Sequence, residues 1–203
     1  MEQIADATVL LATSPWIYAV VFLLTVLDAF FIVVPSETVV VALGALALST
    51  GSPELAVLIP VAALAATIGD SLTFWIGRRV GLRRFAWMRL SGVERVLGWA
   101  ARSLDERAAA VLLTARFIPF GRIAVNLTAG ASGFRYPRFL ALTAIAGACW
   151  ASYNAFVGAL FGTWFEGNPL LAVAISVAVA LVLGVLVDRA TAFLSTARNS
   201  RRK

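Results

Sequence analysis

Two arginines flank a helix-breaking turn inside sequence apolar enough to sit in a bilayer: Arg116-Phe-Ile-Pro119-Phe-Gly121-Arg122. Residues 108–115 and 123–134 on either side carry no charge at all. A cation at bilayer depth costs roughly 2.5–3.5 kcal/mol, so such a residue faces a cavity, a partner or a substrate. Pro119 removes a backbone donor, which is tolerated at that depth only inside protein or beside water. The stretch reads as a re-entrant turn that brings two guanidinium groups into the membrane. A guanidinium is a planar fork of donors suited to phosphate oxygens, and it stays charged. Backbone amides freed near Pro119 and Gly121 add further donors. Arg116, Arg122, Pro119 and Gly121 are therefore the candidate substrate-binding residues.

Three acids lie in comparably apolar surroundings: Asp28, Glu37 and Asp70. Left unpaired, these five charges would cost on the order of 12–18 kcal/mol on the same scale. They are expected to share one polar centre. The bland alternative is a set of buried ion pairs that only closes the bundle, a use in which such pairs rarely outperform apolar packing. Acids in low-dielectric surroundings can exchange protons near neutrality, which makes Glu37, Asp28 and Asp70 the candidates for proton coupling. Glu37, beside the break at Pro35, is expected to pair with an arginine of the second break, a pair that a bound phosphate would dissolve. Asp70 is equally readable as an interfacial acid paired with Arg78. With no histidine and the single Cys149, the sequence offers no His/Cys metal site, no internal disulfide and no phosphohistidine or phosphocysteine route. No catalytic residue and no cofactor is expected.

The elements that must hold these residues follow from hydropathy. Of 203 residues 61% are hydrophobic and 14% charged, with a mean hydropathy of +0.89. This composition predicts an all-α integral membrane protein, a polytopic bundle forming one unit over residues 1–203. No cleavable signal peptide is evident at the N-terminus. Residues 16–48, broken at Pro35-Ser-Glu37, read as a hairpin, because Thr38–Leu48 is too short to span the hydrocarbon core. Residues 55–77 read as a crossing, and 84–107, with Val93, Val96, Leu97, Ala100 and Leu104 at helical spacing, as an interfacial helix. A second hairpin over 108–134, crossings over 139–165 and 170–187, and a basic tail over 188–203 complete the plan. Two re-entrant hairpins, each followed by a crossing, form a transporter-like inverted repeat. Gly147, Ala151, Ala155, Gly158 and Gly162 mark a helix built for close packing.

Charge sets the orientation. Residues 1–77 contain no Lys or Arg, whereas eight arginines crowd residues 78–107 and more basic residues end the chain. Residues 78–107 and the C-terminus are therefore expected in the cytoplasm. No aromatic-interleaved motif accompanies the basic run, so nucleic acid is not an expected partner.

The motifs Asp28…Pro35-Ser36-Glu37, Gly69-Asp70…Ile76-Gly77-Arg78…Gly81 and Arg116-Phe117-Ile118-Pro119…Arg122…Ala129-Gly130 together resemble the DedA family, with its SNARE-associated or VTT domain. The resemblance spans roughly residues 28–140. It implies a bacterial inner-membrane protein with two facing re-entrant loops that translocates lipid, undecaprenyl phosphate or phosphatidylethanolamine among the substrates. It also implies that Asp28, Glu37, Arg116 and Arg122 are needed for activity. The chain departs from the family pattern in having Asp where Glu is common at 28, Val33-Val34 before Pro35, and Thr128 before Ala129-Gly130. The expected function is a proton-coupled flippase or scramblase acting on a phospholipid or polyprenyl phosphate in the bilayer, and not an enzyme. A lipid-phosphate phosphatase and a proton-coupled solute carrier are the competing readings, and the oligomeric state stays open.

Overall fold

The computed structural model describes residues 14–31, 36–81, 91–116 and 121–164. Within them the chain forms six helices: α1 (Trp16–Asp28), α2 (Ser36–Thr50), α3 (Leu55–Val80), α4 (Ser91–Ala115), α5 (Gly121–Ala131) and α6 (Tyr136–Trp164). The break at Pro35, the turn residue Pro119, and the segments expected over 170–187 and 188–203 lie outside the described residues.

Length separates the helices into two kinds. At 1.5 Å per residue α3 is about 39 Å long and α6 longer still, whereas α1 and α2 reach only about 20–23 Å. Among the described residues two helices are long and apolar enough to cross a membrane, Leu55–Val80 and the Tyr136–Leu160 part of α6. Large apolar side chains face outward along the bundle, including Leu23, Leu64, Ile145, Phe156 and Leu160. An outward apolar surface of this extent suits lipid and not water.

The segment expected as a first hairpin consists of α1 and α2, and the second of the end of α4 with α5. α4, described from Ser91 onward, continues past the expected end of the interfacial helix. It is two helical segments joined at Arg107, where the backbone leaves helical geometry (φ −150°, ψ 51°). Ala100 and Leu104, at helical spacing in the sequence, are buried there. α5 ends in a Schellman turn: Phe134 N–H donates to the Ala129 carbonyl and Gly133, at φ +79°, closes it.

The tertiary pairing is reciprocal. α2 packs on α6 and α5 on α3, and the long helices pack on each other. Both seats depend on missing side chains. A Cβ on Gly77 would meet the Leu127 carbonyl and one on Gly130 the Phe74 carbonyl, so α3 and α5 touch backbone to backbone. On the other side Gly44 lies against the Ala155 carbonyl and Gly158 against that of Val41. The small residues singled out on α6 thus include positions of close helix approach, as expected of small-residue stripes.

Two apolar cores result. Val21, Val40, Leu43, Leu58, Ala66 and Trp150 form one. Phe74, Leu104, Leu112, Val125 and Phe139 form the other. On α3 the first ends at Ala66 and the second begins at Phe74. Asp70 lies between them.

Candidate functional site

Asp70 is the centre of the site. It is 2% exposed, and its carboxylate joins four helices. Oδ2 accepts from Arg116 Nη1 at 2.8 Å and from Thr143 Oγ1 at 2.7 Å. Oδ1 accepts from Asn126 Nδ2 at 2.9 Å and lies 3.8 Å from Arg122 Nε. A buried carboxylate is tolerable because neighbours from α4, α5 and α6 supply the donors that water would otherwise give. The alternative of an interfacial acid paired with Arg78 does not hold. Arg78 lies over the Trp75 ring, 5.6 Å from its centroid, and Asp70 is fully committed inside the bundle.

Asp28, the last residue of α1, holds the other arginine. Arg122 Nη2 donates to Asp28 Oδ2 at 3.0 Å and also to the Asp28 carbonyl. That carbonyl belongs to the end of α1, where the last turn leaves acceptors without helical partners. A cation there is also favoured by the helix dipole. Both side chains keep about 15% of their surface exposed (15% for Arg122 and 16% for Asp28), so this pair is less enclosed than Arg116–Asp70.

Arg116 follows directly on α4 and is 8% exposed. Nη1 is bound by Asp70, and the guanidinium lies over the Trp150 ring, 4.9 Å from its centroid. Nε and Nη2 are buried and have no hydrogen-bond partner among the described residues. These two atoms form one edge of the guanidinium, the edge that takes two oxygens of a phosphate or carboxylate side-on. Buried donors left without acceptors are costly, so an edge of this kind calls for an acceptor.

Glu37 departs from expectation. No ion pair joins it to either arginine among the described residues. It sits in the first turn of α2, exposed, where an acid complements the helix dipole. Its Oε1 accepts from Trp150 Nε1 at 3.2 Å. The acid is therefore one indole ring away from Arg116. Gly121 opens α5 one residue before Arg122, and Pro119 lies outside the described residues.

The structure thus brings Asp28, Asp70, Arg116 and Arg122 into one network and attaches Glu37 through Trp150. Sequence reading missed Asn126, Thr143 and Trp150. Asn126 lies four residues after Arg122 on α5, one helical turn away, which is a usable signal. Thr143, Gly147, Trp150 and Asn154 follow the spacing of one face of α6, and both polar members of that face are buried.

A helical membrane protein with an ion-paired centre between its helix breaks is the class that this fold and site define. The VTT domain matches residues 34–160, more than half of the chain, and the chain belongs to that family. An uncharacterized membrane protein of Mycobacterium bovis is 31% identical over 204 residues, covering 92% of this chain and 90% of its own. An uncharacterized membrane protein of Mycobacterium tuberculosis is 30% identical over 154 residues, 75% of this chain and 67% of its own. Protein DedA of Escherichia coli is 25% identical over 178 residues, 84% of this chain and 81% of its own. No solved structure matches the chain.

Proposed function

We propose that this chain is a lipid transporter that carries an anionic headgroup, polyprenyl phosphate such as undecaprenyl phosphate foremost, across the bacterial cytoplasmic membrane. The observation that supports this reading best is the open Nε/Nη2 edge of Arg116, buried at the second helix break. Asp70 fixes the guanidinium from its other end, so the open edge is pre-oriented. Arg122 is the second cation, shielded by Asp28. A phosphate entering between them takes the free edge of Arg116 and competes with Asp28 for Arg122. On this reading Glu37 is the proton-coupling acid and Asp28 its modulator. Asp70, with three hydrogen bonds on its carboxylate, serves as the fixed anchor of the cations.

The reciprocal pairing of α2 with α6 and α5 with α3 supports two re-entrant hairpins in an inverted repeat, opening to opposite faces. The arginine distribution supports a multi-pass chain with residues 78–107 and the C-terminus in the cytoplasm. On a Cys149→Ala background, Ser52→Cys should label from outside and Ser103→Cys from inside. Labelling of both from one side contradicts this topology.

The transport reading is tested in liposomes holding labelled undecaprenyl phosphate under an imposed pH gradient. Wild type should move the lipid with a pH-dependent rate, and E37Q should bind it but lose that dependence. Phosphate release by the purified protein would indicate a phosphatase, and solute flux without lipid movement a solute carrier.

A further inference from the structure

We infer that Trp150 is a positioning residue that links the charge on Glu37 to the grip of Arg116 on an anion. The indole stands between the two helix breaks. Nε1–H donates to Glu37 Oε1 at 3.2 Å, and the ring face carries the Arg116 guanidinium at 4.9 Å from its centroid. Packing fixes the ring. Trp150 is 2% exposed and lies in the core with Val40, Leu43, Leu58 and Ala66, while its carbonyl accepts from Asn154 Nδ2.

The coupling follows from the electronics of the indole. A cation over the ring draws electron density toward its face and makes Nε1–H a stronger donor. A carboxylate at Nε1–H returns density to the ring and strengthens its hold on the cation. Neutralising Glu37 therefore loosens the ring's hold on Arg116, while Asp70 still seats it. Occupying the open edge of Arg116 with a phosphate lowers the positive charge felt by the ring and loosens Glu37. The other charged or titratable groups at this pair are Tyr153 on α6, which feels the charge of Glu37, and Asp70, Arg122 and Asp28 on α3, α5 and α1, which act on Arg116. Trp150 is bonded to Glu37 and lies under Arg116 at once.

This inference deepens the transport reading and rests on it for the flux measurement alone. Trp150→Phe keeps a ring for Arg116 and removes the donor to Glu37; Trp150→Leu removes both. With undecaprenyl phosphate in phosphatidylcholine vesicles as the probe, W150F should hold the apparent KM within about twofold while turnover falls about tenfold, as for loss of a hydrogen bond to a charged group. W150L should also raise KM about tenfold, because Arg116 loses its ring. In an E37Q background W150F should add no further loss. Equal effects of both substitutions on both constants, or an additive loss with E37Q, overturn the inference.

The second measurement needs no transport: the indole 1H–15N resonance of Trp150 in phosphatidylcholine nanodiscs, assigned by its disappearance in W150F. It should move in E37Q and in R116K, and on addition of undecaprenyl phosphate to the wild type. A resonance unmoved by E37Q and R116K overturns the link even if lipid transport is intact. A resonance that moves in a protein that transports no lipid keeps the link and removes the transport reading.

Discussion

The two helix breaks of this chain carry opposite charges and use them differently. The first, between α1 and α2, is bounded by acids only, Asp28 and Glu37; the second, between α4 and α5, by Arg116 and Arg122 only. The arginines converge, since both lie within 4 Å of the Asp70 carboxylate. The acids diverge, Asp28 to Arg122 and Glu37 to Trp150. A converging pair of cations anchored on a third element is the part that the transport reading assigns to the anion. Diverging acids, each on a separate contact and both more exposed than Asp70, can change partner one at a time. On the proposed transport reading the breaks divide the work: one holds the anion and the other responds.

That division can be broken most severely at its anchor. Asp70→Ala leaves Arg116 buried with no acceptor and should cost about 3–5 kcal/mol, the penalty of stripping one partner from a buried pair. The expected result is loss of folded protein, read as abundance and thermal stability in detergent. A well-folded D70A would show that the arginines do not depend on a common anchor.

The seats of the two second arms come next. Gly130→Ala drives a Cβ into the Phe74 carbonyl, and Gly158→Ala does the same at Val41, where backbone cannot yield as a flexible side chain can. Each should destabilise by about 1–3 kcal/mol as overpacking, measured as a fall in thermal midpoint. Tolerance at one seat alone would show that the two breaks are held by different means.

Substitution within the receptor sharpens the contrast between its cations. Arg116 uses Nη1 for Asp70 and keeps an open edge, two tasks that an ammonium cannot do together. R116K should therefore lose lipid transport by about tenfold or more with abundance retained. R122K should lose less, since a lysine can still meet Asp28. Equal wild-type transport in both variants would reduce the site to a charge requirement.

The smallest effect is expected at the responding side. Asp28→Asn weakens the pair with Arg122 but leaves that arginine the Asp28 carbonyl and Asp70 nearby, so it should cost less stability than D70A, read as thermal midpoint. It frees Arg122, so undecaprenyl phosphate should bind at least as well while turnover falls. Weaker binding in D28N would make Asp28 part of the receptor.

Much of this was legible in the chain itself. The charges that a bilayer excludes are few, and insertion energetics singles out Asp28, Glu37, Asp70, Arg116 and Arg122 without any coordinates. The kink at Arg107 falls where a charged stretch meets an uncharged one, a boundary that hydropathy marks along the chain. The partner of Asp70 was not legible. Arg78 is two turns away on the same helix, whereas Arg116, the partner, is 46 positions distant and arrives only when α4 docks. Trp150 was equally hidden, because an apolar ring on an apolar helix carries no local sign of a bond to an acid 113 positions earlier.

What the sequence determined by itself is the inventory: which residues cannot be left in lipid unpaired, where helices must stop, and which small residues permit backbones to meet. These are properties of single positions and of near neighbours, governed by transfer cost, proline and glycine geometry and helical period. Tertiary structure alone decided who meets whom. The approach of α5 to α3 at Gly77 and Gly130 places Arg122 and Asn126 at Asp70. The approach of α2 to α6 at Gly44 and Gly158 places Glu37 at Trp150. Ion pairs and hydrogen bonds act only over a few ångströms, so their partners are set by how helices cross in space and not by their separation along the chain.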